Sequence, residues 1–348
     1  MIQIVSIFDA EGLTVSLIGI DIGNNNCKMA VREGGSMRLI STRMPENMVR
    51  DGEVTTPETM AVFLKEVRES ERVKDRDCAL VLNPSQAFFR HVTLPPMTVS
   101  ELMLNLPYEF RDFINNDPEN YVYDYAVDEI VRDEEGNIER MELFAAAVPK
   151  PLVESYGVML KKAGFKLKMI TPAPMAYTRL LLEHVKAVPE DVDKDVVLVD
   201  IGHADVIVSL FRGLRYESAR TIDYGCEELD RIIADIKGID PYTASSYKFT
   251  NFEGVLDDPE CLAMCDRLAM EVSKVVNFYN FNNPEREIEQ LCFLGGGARI
   301  PQLTNAISEA VSVPVRSVES LLPPEACGQE NAPVCAMAVA AVLEGEAM

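Results

Sequence analysis

The sequence predicts an α/β protein of two like-folded lobes facing each other across a cleft, with a small α+β unit inserted in the first. Three observations carry this. Residues 17–31, "LIGIDIGNNNCKMAV", end an apolar β-branched run in Asp21-Ile22-Gly23 and a polar turn, then become apolar again. Residues 195–214, "DVVLVDIGHADVIVSLFRGL", repeat that grammar around Asp200-Ile201-Gly202. Residues 292–303, "CFLGGGARIPQL", run an apolar strand into Gly295-Gly296-Gly297, with a helix start near Pro301.

The bulk numbers agree. A chain of 348 residues, 47% of them hydrophobic, can bury a sizeable core and fills two compact units. Lys and Arg number 33 against 56 Asp and Glu, a net charge of −23. Such a field repels phosphate backbones and anionic lipid headgroups, so nucleic acid and direct membrane contact are disfavoured unless a local basic patch overrides it. The eight cysteines form no CxxC pair; Cys261 and Cys265 lie one helical turn apart, but only three histidines exist to complete a metal site. Scattered cysteines in apolar runs point to a reducing compartment. With no basic leader and no 18-residue apolar run, the expected location is the cytoplasm.

Element by element, residues 1–16 read as an extra edge strand or an extended start. Three strands follow from Leu17, with a hairpin turn at Gly34-Gly35. Residues 56–73 read as a helix with Thr56 as N-cap and Pro57 in its first turn; positions 60, 63, 64 and 67 share an apolar face. Residues 78–96 hold two short strands broken at Asn83-Pro84. After Pro96 come a proline-containing helix, the turn-rich "NNDPEN", a hairpin turning at "EEGN", and a helix closing at Gly164. This block, 78–165, reads as the insertion. Phe88-Phe89 and the alternating Tyr121, Tyr123 and Tyr125 fit sheet packing, with a peptide groove as the alternative. The charge run 65–76 reads as a solvated helix face, and "VNFYNFNNPE" as helix packing.

The repeated turn has a chemistry. Glycine lets backbone N–H groups approach an anion with no Cβ in the way. An aspartate just before it would repel phosphate directly, so its sensible role is to hold Mg²⁺ through water. Asp21 and Asp200 are therefore the candidate metal-holding carboxylates and, through the metal, the candidates for a catalytic role. Asn24, Asn25 and Asn26 tolerate turn conformations and supply amide donors, and Lys28 offers a point charge to a phosphate oxygen. Gly295, Gly296 and Gly297 permit close approach of a flat ligand at a helix start. There is no G-x-x-x-x-G-K-[ST] loop.

These three stretches resemble the phosphate-1, phosphate-2 and adenosine motifs of the actin/Hsp70/sugar-kinase superfamily. The segments "FFRHVTLPPMTVSELMLNLPYEFRDFI", "LFAAAVPKPLVESYGVMLKKAGFKLKMI" and "ARTIDYGCEELDRII" narrow the likeness, over residues 17–345, to the PilM family of type IV pilus assembly, relatives of FtsA. The resemblance implies two actin-like, ribonuclease H-like lobes around a nucleotide cleft. The first lobe would span 17–77, 166–193 and 330–348; a 1C-like subdomain 78–165; the second lobe 194–329; and an N-terminal extension 1–16. It implies ATP and Mg²⁺, with Gly202, His203, Lys248 and Arg299 also at the nucleotide. It implies a PilN-type N-terminal cytoplasmic peptide docked on the lobe carrying the insertion, contact with the inner-membrane platform and motor ATPase, and a homo-oligomer or ring. Two positions depart from the pattern. Val206 stands where relatives carry a hydroxyl, and Ser245 where they carry the adenosine-facing glutamate. Both point to slow or absent hydrolysis. A small-molecule kinase, with Asp223 as its base, and a self-polymerising FtsA-like filament are the alternatives.

Overall fold

The computed structural model describes residues 3–4, 17–50, 52–114 and 117–347, which fall into two compact units, Met1–Arg179 with Met337–Met348, and Leu180–Ala336. Unit 1 carries the strands β1 (Gln3–Ile4), β2 (Ile18–Ile22), β3 (Asn26–Glu33), β4 (Ser36–Arg43) and the short pair β5 (Val49–Arg50) and β6 (Glu53–Val54). The helix α1 (Pro57–Ser70) leads into β7 (Asp77–Leu82) and β8 (Phe88–Leu94). Then come α2 (Val99–Glu109), β9 (Tyr121–Arg132), β10 (Ile138–Pro149), α3 (Lys150–Lys162), β11 (Lys166–Pro172) and α4 (Ala173–Ala187).

The main sheet of unit 1 has the order β1-β11-β7-β2-β3-β4. β2 is its junction strand, antiparallel to β3 and parallel to β7. Gly34, at φ +64°, turns β3 into β4 as the glycine pair predicts. Met60, Leu64 and Val67 of α1 and Tyr156, Met159 and Leu160 of α3 close over one face of this sheet. Thr56 takes the cap position of α1, but its side chain makes no cap hydrogen bond. Thr98 and Glu101 form a full capping box at α2. Gly164, at φ +88°, follows the end of α3, a left-handed position that a Cβ would strain.

A second sheet, β8-β10-β9, packs its own core against α2 through Leu102, Leu106 and Phe110. This layer spans residues 88–149. The outer parts of the predicted 78–165 block, β7 and α3, belong instead to the main sheet and its core. The chain leaves β7 at Asn83, whose side chain caps a 3₁₀ turn, while Gln86 donates to the Tyr156 hydroxyl at 2.7 Å inside the core. Tyr121 is buried and Tyr123 and Tyr125 pack against the same cluster, the sheet-packing alternative. Gln3–Ile4 take the edge-strand alternative for the N terminus; the rest of 1–16, with Asn115 and Asn116 of the "NNDPEN" turn, lies outside the described residues.

Unit 2 begins within α4 and runs through β12 (Asp195–Ile201), β13 (Val206–Arg212), β14 (Arg215–Ile222), α5 (Cys226–Lys237), α6 (Pro241–Thr250) and α7 (Pro259–Asn282). It continues with β15 (Gln290–Leu294), α8 (Pro301–Val311), β16 (Val315–Arg316) and the start of α9 (Ala332–Ala347). Its sheet order is β14-β13-β12-β15-β16, with β12 antiparallel to β13 and parallel to β15. Strand for strand this matches β4-β3-β2-β7-β11 of unit 1, so the repeat read in the sequence is a repeat of topology.

Two buried carboxylates tie unit 2 together. Asp195 accepts from the Tyr279 hydroxyl at 2.8 Å and from Arg286 Nε at 3.0 Å. Asp191 meets His184, Lys194, Gln290 and Arg316. Burial alone would raise the Asp191 carboxyl, but those four partners hold it well below the usual carboxylate range. The aromatic run on α7 divides: Tyr279 is buried, whereas Phe278 and Phe281 are 61% and 83% exposed, so helix packing accounts for only part of it. Cys261 and Cys265 are buried in the same helix, and burial pushes both thiols up, to about 11 and about 12.

The C-terminal part of α9 lies directly on β2. A Cβ on Gly19 would sit 1.8 Å from the Ala338 carbonyl oxygen, and one on Gly345 would sit 2.4 Å from Leu17 Cδ1. Gly19→Ala is therefore expected to lower stability by about 3 kcal/mol or more, read as a fall in the urea midpoint, because only backbone movement could make room. Glu344, buried in the same helix, has its carboxyl pushed up by burial to about 7, with Arg179 acting against the rise. A carboxyl raised above its unfolded value favours the fold when protonated. Its contribution is complete below pH 4.5 and disappears as the pH rises through 7. Glu344→Gln should abolish this pH 5–8 decline, roughly 2–3 kcal/mol, in melts across that range.

Candidate functional site

Each unit presents its Asp-x-Gly turn at the C-terminal end of its junction strand. In unit 1, Asp21 stands opposite Lys28 in the β2–β3 ladder, and Lys28 Nζ reaches Asp21 Oδ2 at 2.9 Å. The two side chains are 17% and 16% exposed, so the pair is accessible rather than sealed. Gly23 donates its N–H to the Asn26 carbonyl at 3.1 Å, closing the turn. A Cβ at Gly23 would lie 2.5 Å from Lys28 Nζ, so glycine is what lets the ammonium fold over the turn.

The three asparagines divide the labour. Asn25 accepts the Met44 N–H at 2.8 Å through its carbonyl, and Asn26 donates its amide to Ser41 Oγ at 2.9 Å. Both hold the turn to the strand behind it. Asn24 differs: its side-chain oxygen is buried and has no hydrogen-bond partner. A buried amide oxygen left unsatisfied is costly, and a donor in the turn, such as a water molecule, would satisfy it.

In unit 2, Gly202 donates to the Asp205 carbonyl at 2.9 Å. The turn then docks on the start of α5: Cys226 donates to the Gly202 carbonyl at 3.1 Å and Glu227 to the His203 carbonyl at 2.8 Å. A Cβ on Gly225 would meet both carbonyl oxygens at 2.8 Å. The first amides of α5 are thus spent on the turn itself. His203 Nδ1 lies 3.8 Å from Asp230 Oδ2. Val206 is fully buried in the unit 2 core, and Ser245 is buried on α6.

Lys248 is buried between α5 and α6. Only 2% exposed, its ammonium meets Asp230 Oδ1 at 2.7 Å and donates to the Cys226 carbonyl at 3.1 Å. The charge expected at a ligand is used to fasten α6 to α5. Asp230 itself was missed by sequence reasoning; an acidic residue on the apolar face of "CEELDRIIADIK" was the available signal. The adjoining Cys226 thiol is pushed up to about 11, chiefly by burial.

The triple glycine also divides. Gly295, at φ +80°, presses against β12: a Cβ there would fall 2.4 Å from Asp200 Oδ1. Gly297 is a packing glycine, its would-be Cβ 2.2 Å from Ile201 Cγ2. Gly296 alone faces open space. Arg299 pairs with Glu330 and lies 5.2 Å over the Phe249 ring, an aromatic that no motif in the sequence marks. Asp21, Lys28, Gly23 and Asn24 thus form one cluster in unit 1; Asp200, Gly202, Gly295 and Gly296 form another in unit 2.

A family model for the type IV pilus assembly protein PilM matches residues 19–325. No curated protein sequence matches the chain significantly. Among solved structures, a PilM-PilN type IV pilus biogenesis complex aligns over 96% of this chain and 99% of that one, at 21% identity and a TM-score of 0.77. The ethanolamine utilization protein EutJ from Carboxydothermus hydrogenoformans aligns over 94% and 89%, at 14% identity and a TM-score of 0.56. At these identities the likeness is one of fold.

The buried Lys248–Asp230 pair generates a stability prediction. Lys248→Met leaves Asp230 buried without its cation and should cost about 3–5 kcal/mol in urea unfolding. The double variant Lys248→Met/Asp230→Leu, which removes both charges, should recover most of that loss.

Proposed function

The chain belongs to the PilM family of type IV pilus assembly proteins, and on that premise we propose that it is an actin-like scaffold of a pilus or related secretion machine. In this reading it takes ATP and Mg²⁺ at its two Asp-x-Gly turns, and on unit 1 the N-terminal peptide of a PilN-type membrane protein. The observation that carries the nucleotide part is the duplicated sheet, with an aspartate and a glycine turn at the end of each junction strand. In open α/β sheets ligands collect at the carboxyl ends of strands where the strand order reverses.

The residues fit such a ligand on two counts. Asn24 keeps a buried amide oxygen without a partner, which a water of a hydrated cation would donate to, and Gly296 leaves open the room that a side chain would take. Mg²⁺, when bound, would neutralise part of the phosphate charge. Asp21 and Asp200 would hold it through water, and Lys28 would turn from Asp21 to a phosphate oxygen. Gly202 and Gly296 offer backbone without Cβ. Lys248 is not among the contacts in this reading, since its charge is already matched. With Val206 in the core and Ser245 in place of a carboxylate, neither supplies a group that orients water, so hydrolysis is slow or absent.

The partner follows from family membership and from the solved PilM-PilN complex, a property stated for that complex and carried here as a proposal. No helix among the described residues is long and apolar enough to cross a membrane, and with a net charge of −23 the chain is repelled by anionic lipid. A membrane protein's cytoplasmic peptide is therefore the natural link to the inner face of the membrane, beside the platform and motor. Rings or other homo-oligomers would be built from the same scaffold.

Calorimetric titration tests the nucleotide. Micromolar binding of ATP·Mg²⁺ is expected. Asp21→Ala should weaken it tenfold or more with Mg²⁺ present, but not in EDTA, where the carboxylate only repels phosphate. Lys28→Met should weaken binding under both conditions. Absence of binding at millimolar ATP·Mg²⁺ overturns the nucleotide reading. Failure of an immobilised PilN-type N-terminal peptide to retain the chain overturns the pilus reading, and transfer of phosphate to a small hydroxyl or carboxylate compound would replace it with the kinase.

A further inference from the structure

The outer strand of the unit 1 sheet is an unusual edge. Met169, Ile170 and Thr171 of β11 are each fully buried, although β11 pairs with β7 on one side only, apart from two residues on the other. Those two are Gln3 and Ile4, which run parallel to β11 opposite Met169 and Ile170. The next residue along β11, Thr171, has its hydroxyl buried with no hydrogen-bond partner. β1 also lies against β9, so it runs where the main sheet meets the three-stranded sheet. An apolar strand edge of this kind is a template for any extended chain that can supply N–H and C=O groups.

The sequence of the occupant suits the edge. Residues 1–8, "MIQIVSIF", carry no charged side chain and are rich in isoleucine and valine, in a chain otherwise dense in acids. The family model begins only at residue 19, so this segment is an addition to the matched region rather than part of it. We propose that the β11 edge is a strand-addition site for an extended apolar peptide, and that this chain's own N-terminal strand occupies it in cis. The resident strand then competes with any extended partner peptide that docks on unit 1; this last consequence rests on the scaffold reading above.

The test uses the full chain with Gln3→Pro/Ile4→Pro, which removes both N–H groups of β1. A second variant lacking residues 1–16 guards against an effect of proline itself. Amide hydrogen exchange across Lys166–Pro172 should accelerate at least tenfold in both variants. A labelled peptide of residues 1–10, MIQIVSIFDA, should bind both variants with micromolar affinity by fluorescence anisotropy, and the unaltered chain at least tenfold more weakly. Unchanged exchange, or peptide binding equal or absent throughout, overturns the proposal. So does protection that rises with protein concentration alongside dimer formation, which would mean exchange of the strand between copies. A PilN-type peptide should bind the proline variant at least tenfold more tightly than the unaltered chain. If that peptide binds neither, the scaffold reading fails, while the chain's own peptide still decides the edge.

Discussion

The rest of the structure depends on one constraint, the change of direction at the junction strand of each sheet. β2 and β12 each have an antiparallel hairpin on one flank and a parallel strand on the other. The hairpin must turn where the junction strand ends, and the parallel neighbour ends there too. The tight turn that follows Asp21 or Asp200 therefore projects at the carboxyl edge of its sheet. Glycine is forced at Gly202 by the Asp205 carbonyl, and at Gly23 it gives the Lys28 ammonium its place over the turn. Aspartate, glycine and exposed backbone arise together from the topology, which is why both copies have them.

Charge is distributed in accordance with burial. Where carboxylates are sealed, at Asp191, Asp195 and Asp230, each is matched by cations or hydroxyls within hydrogen-bond reach. A buried charge without a partner would cost several kcal/mol, so these sites are closed to exchange. Asp21 and Lys28 are only partly buried at the turn, so their pair is not sealed from solvent as those are. That difference separates a structural ion pair from one that a ligand can divide. Lys248, at 2% exposure, belongs to the first kind and fastens α6 to α5, while Lys28 belongs to the second.

The sequence made local features legible. The repeated turn, the glycine hairpin, the Thr98–Glu101 box and the helix end at Gly164 each follow from residues within a few positions of one another. What escaped depends on distant packing. Nothing in "NNN" says that Ser41 and the Met44 amide would engage two asparagines and leave Asn24 open. Nothing near Lys248 reveals Asp230, which arrives from another helix. In texture β7 and α3 resemble β8 and α2, and only their pairing and packing partners show which sheet each one joins. Phe278 and Phe281 share a helix with buried Tyr279, and only the helix's rotation decides which of them faces solvent.

Val206 shows how a departure from a family pattern can be structural rather than neutral. Its backbone pairs with Ile201 across the turn and Ile222 on the outer side, and its side chain is fully buried in the cluster that includes Ile201, Cys226 and Leu229. The position does not merely lack a hydroxyl toward a ligand. It contributes apolar area beneath the turn, about 1.5–3 kcal/mol for a buried valine, and a hydroxyl there would need a partner that the cluster does not supply. The turn after Asp200 is thus anchored from below by an apolar side chain, and packing beneath it accounts for valine at this position.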